Sequence, residues 1–170
     1  MKNSGFSLIE LVVVIAILSC LFLIAGLSGR TWLARYRVES QTKQMYADLM
    51  NARASAMQKS RTYFVTLAST QYSVYEDRDP ASPANPALDG DDLFESASDA
   101  LILQKNTEYP IVSAPTGTEF SFDKNGLVSL NGTLHFDLTT SSAGPSYDCI
   151  TLFTTRILMG KWSGTSCDNQ

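Results

Sequence analysis

Glu10 is the residue whose position most needs a chemical reason. It stands at the head of an apolar stretch, and the next 19 residues, Leu11 to Gly29, carry no charged side chain. A carboxylate at mid-bilayer costs on the order of 2.5–3.5 kcal/mol, and residues kept at that cost are normally functional. It is tolerable when a cation pairs with it, and removing one partner of such a pair costs ~3–5 kcal/mol. The remaining chemical inventory is thin. His135 is the single histidine, and it falls at an alternating strand position that suits cross-strand packing better than general-base work. The chain has no nucleophile elbow, Walker loop or His/Cys metal spacing. Without a histidine partner its Ser and Cys side chains lack an activating base. No catalytic residue, metal or cofactor is expected. Leu88-Asp89-Gly90-Asp91-Asp92 misses the spacing and closing glutamate of a calcium loop and reads as solvated acidic surface.

The elements that must carry Glu10 follow from the pattern around it. Nothing from Phe6 to Lys59 forbids one helix, since the first proline is Pro80; Gly26 and Gly29 could bend it. Such a helix would be roughly 81 Å long, and its 19-residue uncharged part about 28 Å, close to the ~30 Å hydrocarbon core of a bilayer. Met45, Leu49, Ala52 and Ala56 recur at helical spacing as a stripe that can lie on another element, with Tyr46, Met50, Arg53 and Met57 in the next row. No small domain covers a rod of that length. Half of it should protrude, and a protruding apolar half-helix needs lipid or other copies of itself.

Composition agrees with a globular part beyond the helix. The chain has 170 residues, 44% hydrophobic and 18% charged, with a net charge of −4, which excludes a disordered, collagen-like or disulfide-dense protein. Its charge is divided. Arg30 to Arg61 holds seven basic residues against two acidic ones, and Thr62 onward holds five against fourteen. The basic stretch suits a solvated helix face, anionic headgroups just beyond the apolar run, or both. From Arg61 the period changes to two. Strands are expected at Tyr63–Leu67 and Tyr72–Tyr75, with a further short strand or turn at Leu101–Leu103. A Pro/Asp-rich loop spans 79–100. Between Glu119 and Leu138 the Asn125-Gly126 and Asn131-Gly132 pairs predict two tight turns and a three-stranded meander. Cys149–Thr154 and Arg156–Trp162 predict a last strand pair.

Gly5-Phe6-Ser7-Leu8-Ile9-Glu10 closely resembles the processing motif of type IV pilins and type II secretion pseudopilins. A cleaved signal peptide fits less well, because the apolar run is too long and Glu10 would serve no purpose in it. Ile17-Leu18-Ser19-Cys20 resembles a lipobox weakly, which would make the chain a lipid-anchored periplasmic protein; otherwise Cys20 packs as a small apolar residue. The pilin resemblance implies a prepilin peptidase that cuts between Gly5 and Phe6 and methylates the new Phe6 amine. It implies that Glu10 pairs with the N-terminal amine of a neighbouring subunit. The expected fold is α+β, a long N-terminal helix packed on a C-terminal antiparallel β-sheet head. Its parts would be a leader at 1–5, a transmembrane and filament-core helix at 6–29, an amphipathic continuation at 30–60 and a head at 61–170.

Element order and Phe120–Gly126 are similar to the FimT/GspH-type minor pseudopilin head, implying a minor, tip-associated subunit of a pilus or a type II secretion pseudopilus. The implied partners are other pilin subunits through the N-terminal helix, the prepilin peptidase, an inner-membrane assembly platform and membrane lipid. The implied place is the bacterial inner membrane, crossed once with the head in the periplasm. An oxidising compartment permits Cys149 and Cys167 to pair, closing a loop worth about 3 kcal/mol, in preference to two free thiols. Some relatives of this head type act in DNA uptake, which would use Arg156, Lys161 and Lys124. The acidic head opposes nucleic-acid binding.

Overall fold

The computed structural model describes residues 7–78, 92–115, 117–138 and 144–169, with backbone alone for 23–31. Helix α1 runs without interruption through Leu8–Lys59, 52 residues. It ends where Ser60 adopts the left-handed conformation (φ 53°, ψ 44°) and its N–H bonds back to the Ala56 carbonyl. Nine strands follow among the described residues: β1 Tyr63–Ala68, β2 Gln71–Glu76, β3 Ala100–Asn106, β4 Ile111–Ala114, β5 Glu119–Phe122, β6 Gly132–Phe136, β7 Cys149–Phe153, β8 Arg156–Trp162 and β9 Cys167–Asn169. They form two antiparallel sheets, ordered β3-β2-β1-β5 and β4-β6-β7-β8-β9. The expected α+β architecture is present, with the head divided between two sheets.

The helix stripe is the centre of the core. Met45, Leu49, Ala52 and Ala56 are all buried, as is Val38 two turns below Met45. Against them lie the inward residues of both sheets: Val65, Val74, Phe120 and Phe122 from the first, Leu134, Phe136, Ile150, Leu152 and Ile157 from the second. Period 3.6 on the helix meets period 2 on the strands, so each element buries one face. Polar ties fix the helix in register with the head. Asp48 accepts hydrogen bonds from Tyr72 (2.6 Å) and Lys105 (2.7 Å), holding β2 and β3. Arg53 donates to the Thr155 carbonyl at 2.7 Å in the β7–β8 turn. Burial, and then the Asp48 carboxylate, push the Tyr72 hydroxyl far above its usual range, so it stays a donor.

The expected meander is not formed. β5 pairs with β1 in the first sheet, while β6 pairs with β4 and β7 in the second. Between them Val128 makes an isolated bridge to Phe122 as the chain crosses over. At the first Asn-Gly pair only Gly126 has positive φ (74°). The turn is organised by Asp123, whose carboxylate accepts the Asn125 and Leu127 N–H groups at 2.9 and 2.7 Å, an Asx-type arrangement that replaces the type I′ geometry. At the second, Gly132 opens β6, and a Cβ there would stand 3.1 Å from the Ala114 carbonyl. That glycine admits β4, and no hairpin follows it. The β7–β8 pair is as predicted, Leu101–Leu103 lies within β3, and β9 adds an unforeseen edge. Most of the 79–100 loop, with Asp89 and Asp91 of its acidic cluster, lies outside the described residues.

Candidate functional site

Two regions could do work, the lower rod and the charged junction where rod meets head. The rod begins at Ser7, whose carbonyl accepts the Glu10 and Leu11 N–H groups at 3.0 and 3.2 Å. Glu10 sits in the first turn of α1, where a carboxylate is favoured by the helix dipole. Around it Leu8, Ile9, Leu11, Val12, Val13, Val14, Ile15 and Ile17 are all exposed. Four successive β-branched residues make a poor helix in water. In an apolar medium the helix becomes obligatory, because it alone satisfies every backbone group within the segment. A helix apolar on all faces must be covered by lipid or protein. Gly5 and Phe6, the expected processing site, lie outside the described residues. Among the described residues no helix is long and apolar enough to cross a membrane; the uncharged run continues into residues 23–29, whose side chains lie outside that description.

The junction is built on Glu76 at the end of β2, its side chain only 2% exposed. Lys59 (2.8 Å), Arg61 (3.3 Å) and Arg78 (3.0 Å) converge on it. Burial pushes this carboxyl up, but the hydrogen bonds from Arg78 and Lys59 overcome it and hold the group at about 2. The ends of the acidic loop are pinned nearby. Asp77 accepts the Asp92 N–H at 2.9 Å, and Asp99 accepts the N–H groups of Arg78 and Glu95. Sequence reading missed this arrangement, because Lys59 and Arg61 look like part of a solvated basic face. The one available signal was Glu76-Asp77, two carboxylates where a buried strand ends.

Other candidate residues are placed as follows. Cys149 and Cys167 are joined (Cα–Cα 6.0 Å), fastening β9 to β7 across β8. Between them Gly160 leaves no room for a side chain, since a Cβ would meet Asp168 and the Cys167 sulfur. His135 stacks on Trp162 with ring centroids 3.9 Å apart, the packing role expected of it. Burial lowers its pKa, against the opposing charges of Asp148 and Asp137. Arg156, with its guanidinium over the Phe153 ring, Lys161 and Lys124 are exposed. Arg156 and Lys161 are five positions apart on β8, an odd offset, so they point from opposite faces. The structure does not bring Arg156 and Lys161 onto one face of β8. Cys20 is exposed within the unbroken helix. Among the described residues no cluster of His, Cys, Asp or Glu could hold a metal ion.

An exposed apolar rod continuous with an antiparallel β head defines a pilin-like subunit. Residues 1–26 match the prokaryotic N-terminal methylation motif, and residues 41–155, more than half of the chain, match type II transport protein GspH. The chain belongs to the GspH family. The fold is similar to the crystal structure of the type IV minor pilin FimU from Pseudomonas aeruginosa, with a TM-score of 0.52 and 13% identity. That likeness covers 81% of this chain and 96% of FimU, and it speaks for the fold alone. No curated protein matches the chain. It is thus a prepilin-type minor pilin or pseudopilin of the type II secretion class, and the family is structural, not enzymatic.

Proposed function

We propose that this protein is cut between Gly5 and Phe6 by a prepilin peptidase, methylated on the Phe6 amine, and assembled as a minor, tip-associated subunit of a type II secretion pseudopilus or type IV pilus. Residues 1–5 are the leader, 6–29 the membrane anchor and later filament core, 30–60 the amphipathic continuation and 61–170 the periplasmic head. Before assembly the protein waits in the inner membrane. The observation that carries this reading is the apolar rod, exposed on every described face from Leu8 to Phe22 and broken by a single carboxylate, Glu10. Glu10 pairs with the positive amine of a neighbouring subunit, which neutralises both charges in an apolar filament core.

Co-expression with a prepilin peptidase followed by intact-mass measurement tests the first step. The product should be lighter by residues 1–5 and heavier by one methyl group, and an unchanged mass overturns the assignment. Glu10→Leu tests the second. It should be cleaved normally yet fail to enter filaments, and normal incorporation removes the proposed role of the carboxylate.

A further inference from the structure

Trp32 and Tyr36 are the feature of α1 that neither the core nor the apolar rod absorbs. Their rings stack, centroids 5.9 Å apart at 14°, while remaining 66% and 59% exposed. At 100° per residue they are turned roughly 120–160° from Val38, the first α1 residue buried by the head, so the protein's own head does not reach them. Trp32 lies about 33 Å along the helix from Glu10, close to the ~30 Å depth of a hydrocarbon core. The surrounding sequence supplies Arg30, Arg35 and Arg37, with no acidic residue between Glu10 and Glu39. The head starts immediately above. Arg37 bridges Glu108 at 3.0 Å, and Gln41 accepts the Glu108 N–H.

We propose that Trp32, Tyr36 and Arg35 form an interfacial anchor that docks on the anionic headgroups of the outer leaflet and fixes the height of the head before assembly. Amphipathic rings belong at the headgroup level, with an apolar body below and a polar edge in water. Arginine beside them selects acidic lipid, at about a fivefold preference for each residue near the surface. With the rings at that level, the Glu108 loop rests just above the bilayer and the head cannot sink or tilt freely.

This inference rests on the membrane-anchored reading, and the experiment separates the two. Full-length protein is reconstituted into vesicles of equal phosphatidylglycerol and phosphatidylcholine and floated on a density gradient. Trp32 emission is isolated as the difference between the protein and Trp32→Phe, leaving Trp162 untouched. Bromine is then placed shallow or deep on the acyl chains of either lipid. Shallow bromine should quench Trp32 more than deep bromine, and brominated phosphatidylglycerol more than brominated phosphatidylcholine. Arg35→Gln should reduce that lipid preference about fivefold. Failure to float overturns the membrane reading and the anchor together. Flotation with deepest quenching from deep bromine, or with no quenching, overturns the anchor alone; in the unquenched case another copy of the helix covers the rings. Equal quenching by both lipids overturns the acidic preference.

Discussion

Glu76 concentrates more charge than any other described residue of the head: one buried carboxylate faces three half-exposed or partly exposed cations. Removing its charge leaves a buried amide facing cations that can turn toward water, so Glu76→Gln should cost about 1–3 kcal/mol in urea unfolding of the head. The pH dependence has a definite sign. The ordinary carboxyl titrates near 4.5 and the folded one at about 2. As pH falls below 4.5 the unfolded chain takes up a proton that the folded chain refuses, so the contribution is complete above 4.5 and is lost on approach to 2. The unfolding midpoint should therefore fall steeply between those values in the native protein and less steeply in Glu76→Gln; identical acid limbs would show that the cluster contributes nothing. The Cys149–Cys167 bond supports a second prediction. Cys167→Ser should lower stability by about 3 kcal/mol. Gly160→Ala should do comparable damage with the thiols intact, because its methyl occupies the place of β9, and unchanged melting of that variant would contradict the close approach.

Among elements, α1 is the one that organises the others. Its inner stripe predicts a sharp contrast between adjacent positions. Leu49→Ala should cost 2–5 kcal/mol, roughly what buried leucines lose, while exposed Met50→Ala should stay within about 0.5 kcal/mol; equal effects would mean that the stripe is not the core. This helix was readable in the sequence because proline is absent over its whole length, its lower part is a continuous apolar run, and a 3.6 repeat of apolar residues marks Met45 to Ala56. β1, β2, β7 and β8 were readable for the analogous reason at period two. The Asn-Gly pairs misled because the dipeptide permits a tight turn without requiring one. At Asn125-Gly126 the Asp123 carboxylate offers the backbone a different set of partners, and at Asn131-Gly132 the glycine answers to a neighbouring strand that arrives from Ile111–Ala114. Such contacts between distant segments leave no local trace. The same holds for Glu76, whose partners come from the last helical turn (Lys59), the link into β1 (Arg61) and the residues just after β2 (Arg78). Of the candidate site, only the part written as consecutive residues, Gly5 to Glu10 and the run behind it, could be read directly.

The whole molecule divides into a head that stabilises itself and a rod that depends on its surroundings. The division falls just below Val38, the first α1 residue the head buries; Trp32, Leu33 and Tyr36 beneath it are still exposed. The Arg37–Glu108 bridge near that boundary is half exposed on both sides and is worth at most about 1 kcal/mol. Removing residues 1–29 thus takes almost nothing from the core while removing the surface that lipid or sister helices must cover. The truncated chain should be monomeric in buffer without detergent, and its unfolding free energy in urea should match that of the detergent-solubilised full chain to within about 0.5 kcal/mol. Sedimentation would report the first outcome and tryptophan fluorescence during urea titration the second. A truncated head that aggregates, or that loses several kcal/mol, would place part of its stabilising core in the rod. The rod would then not be free to leave the bilayer for a filament without unfolding the head it carries.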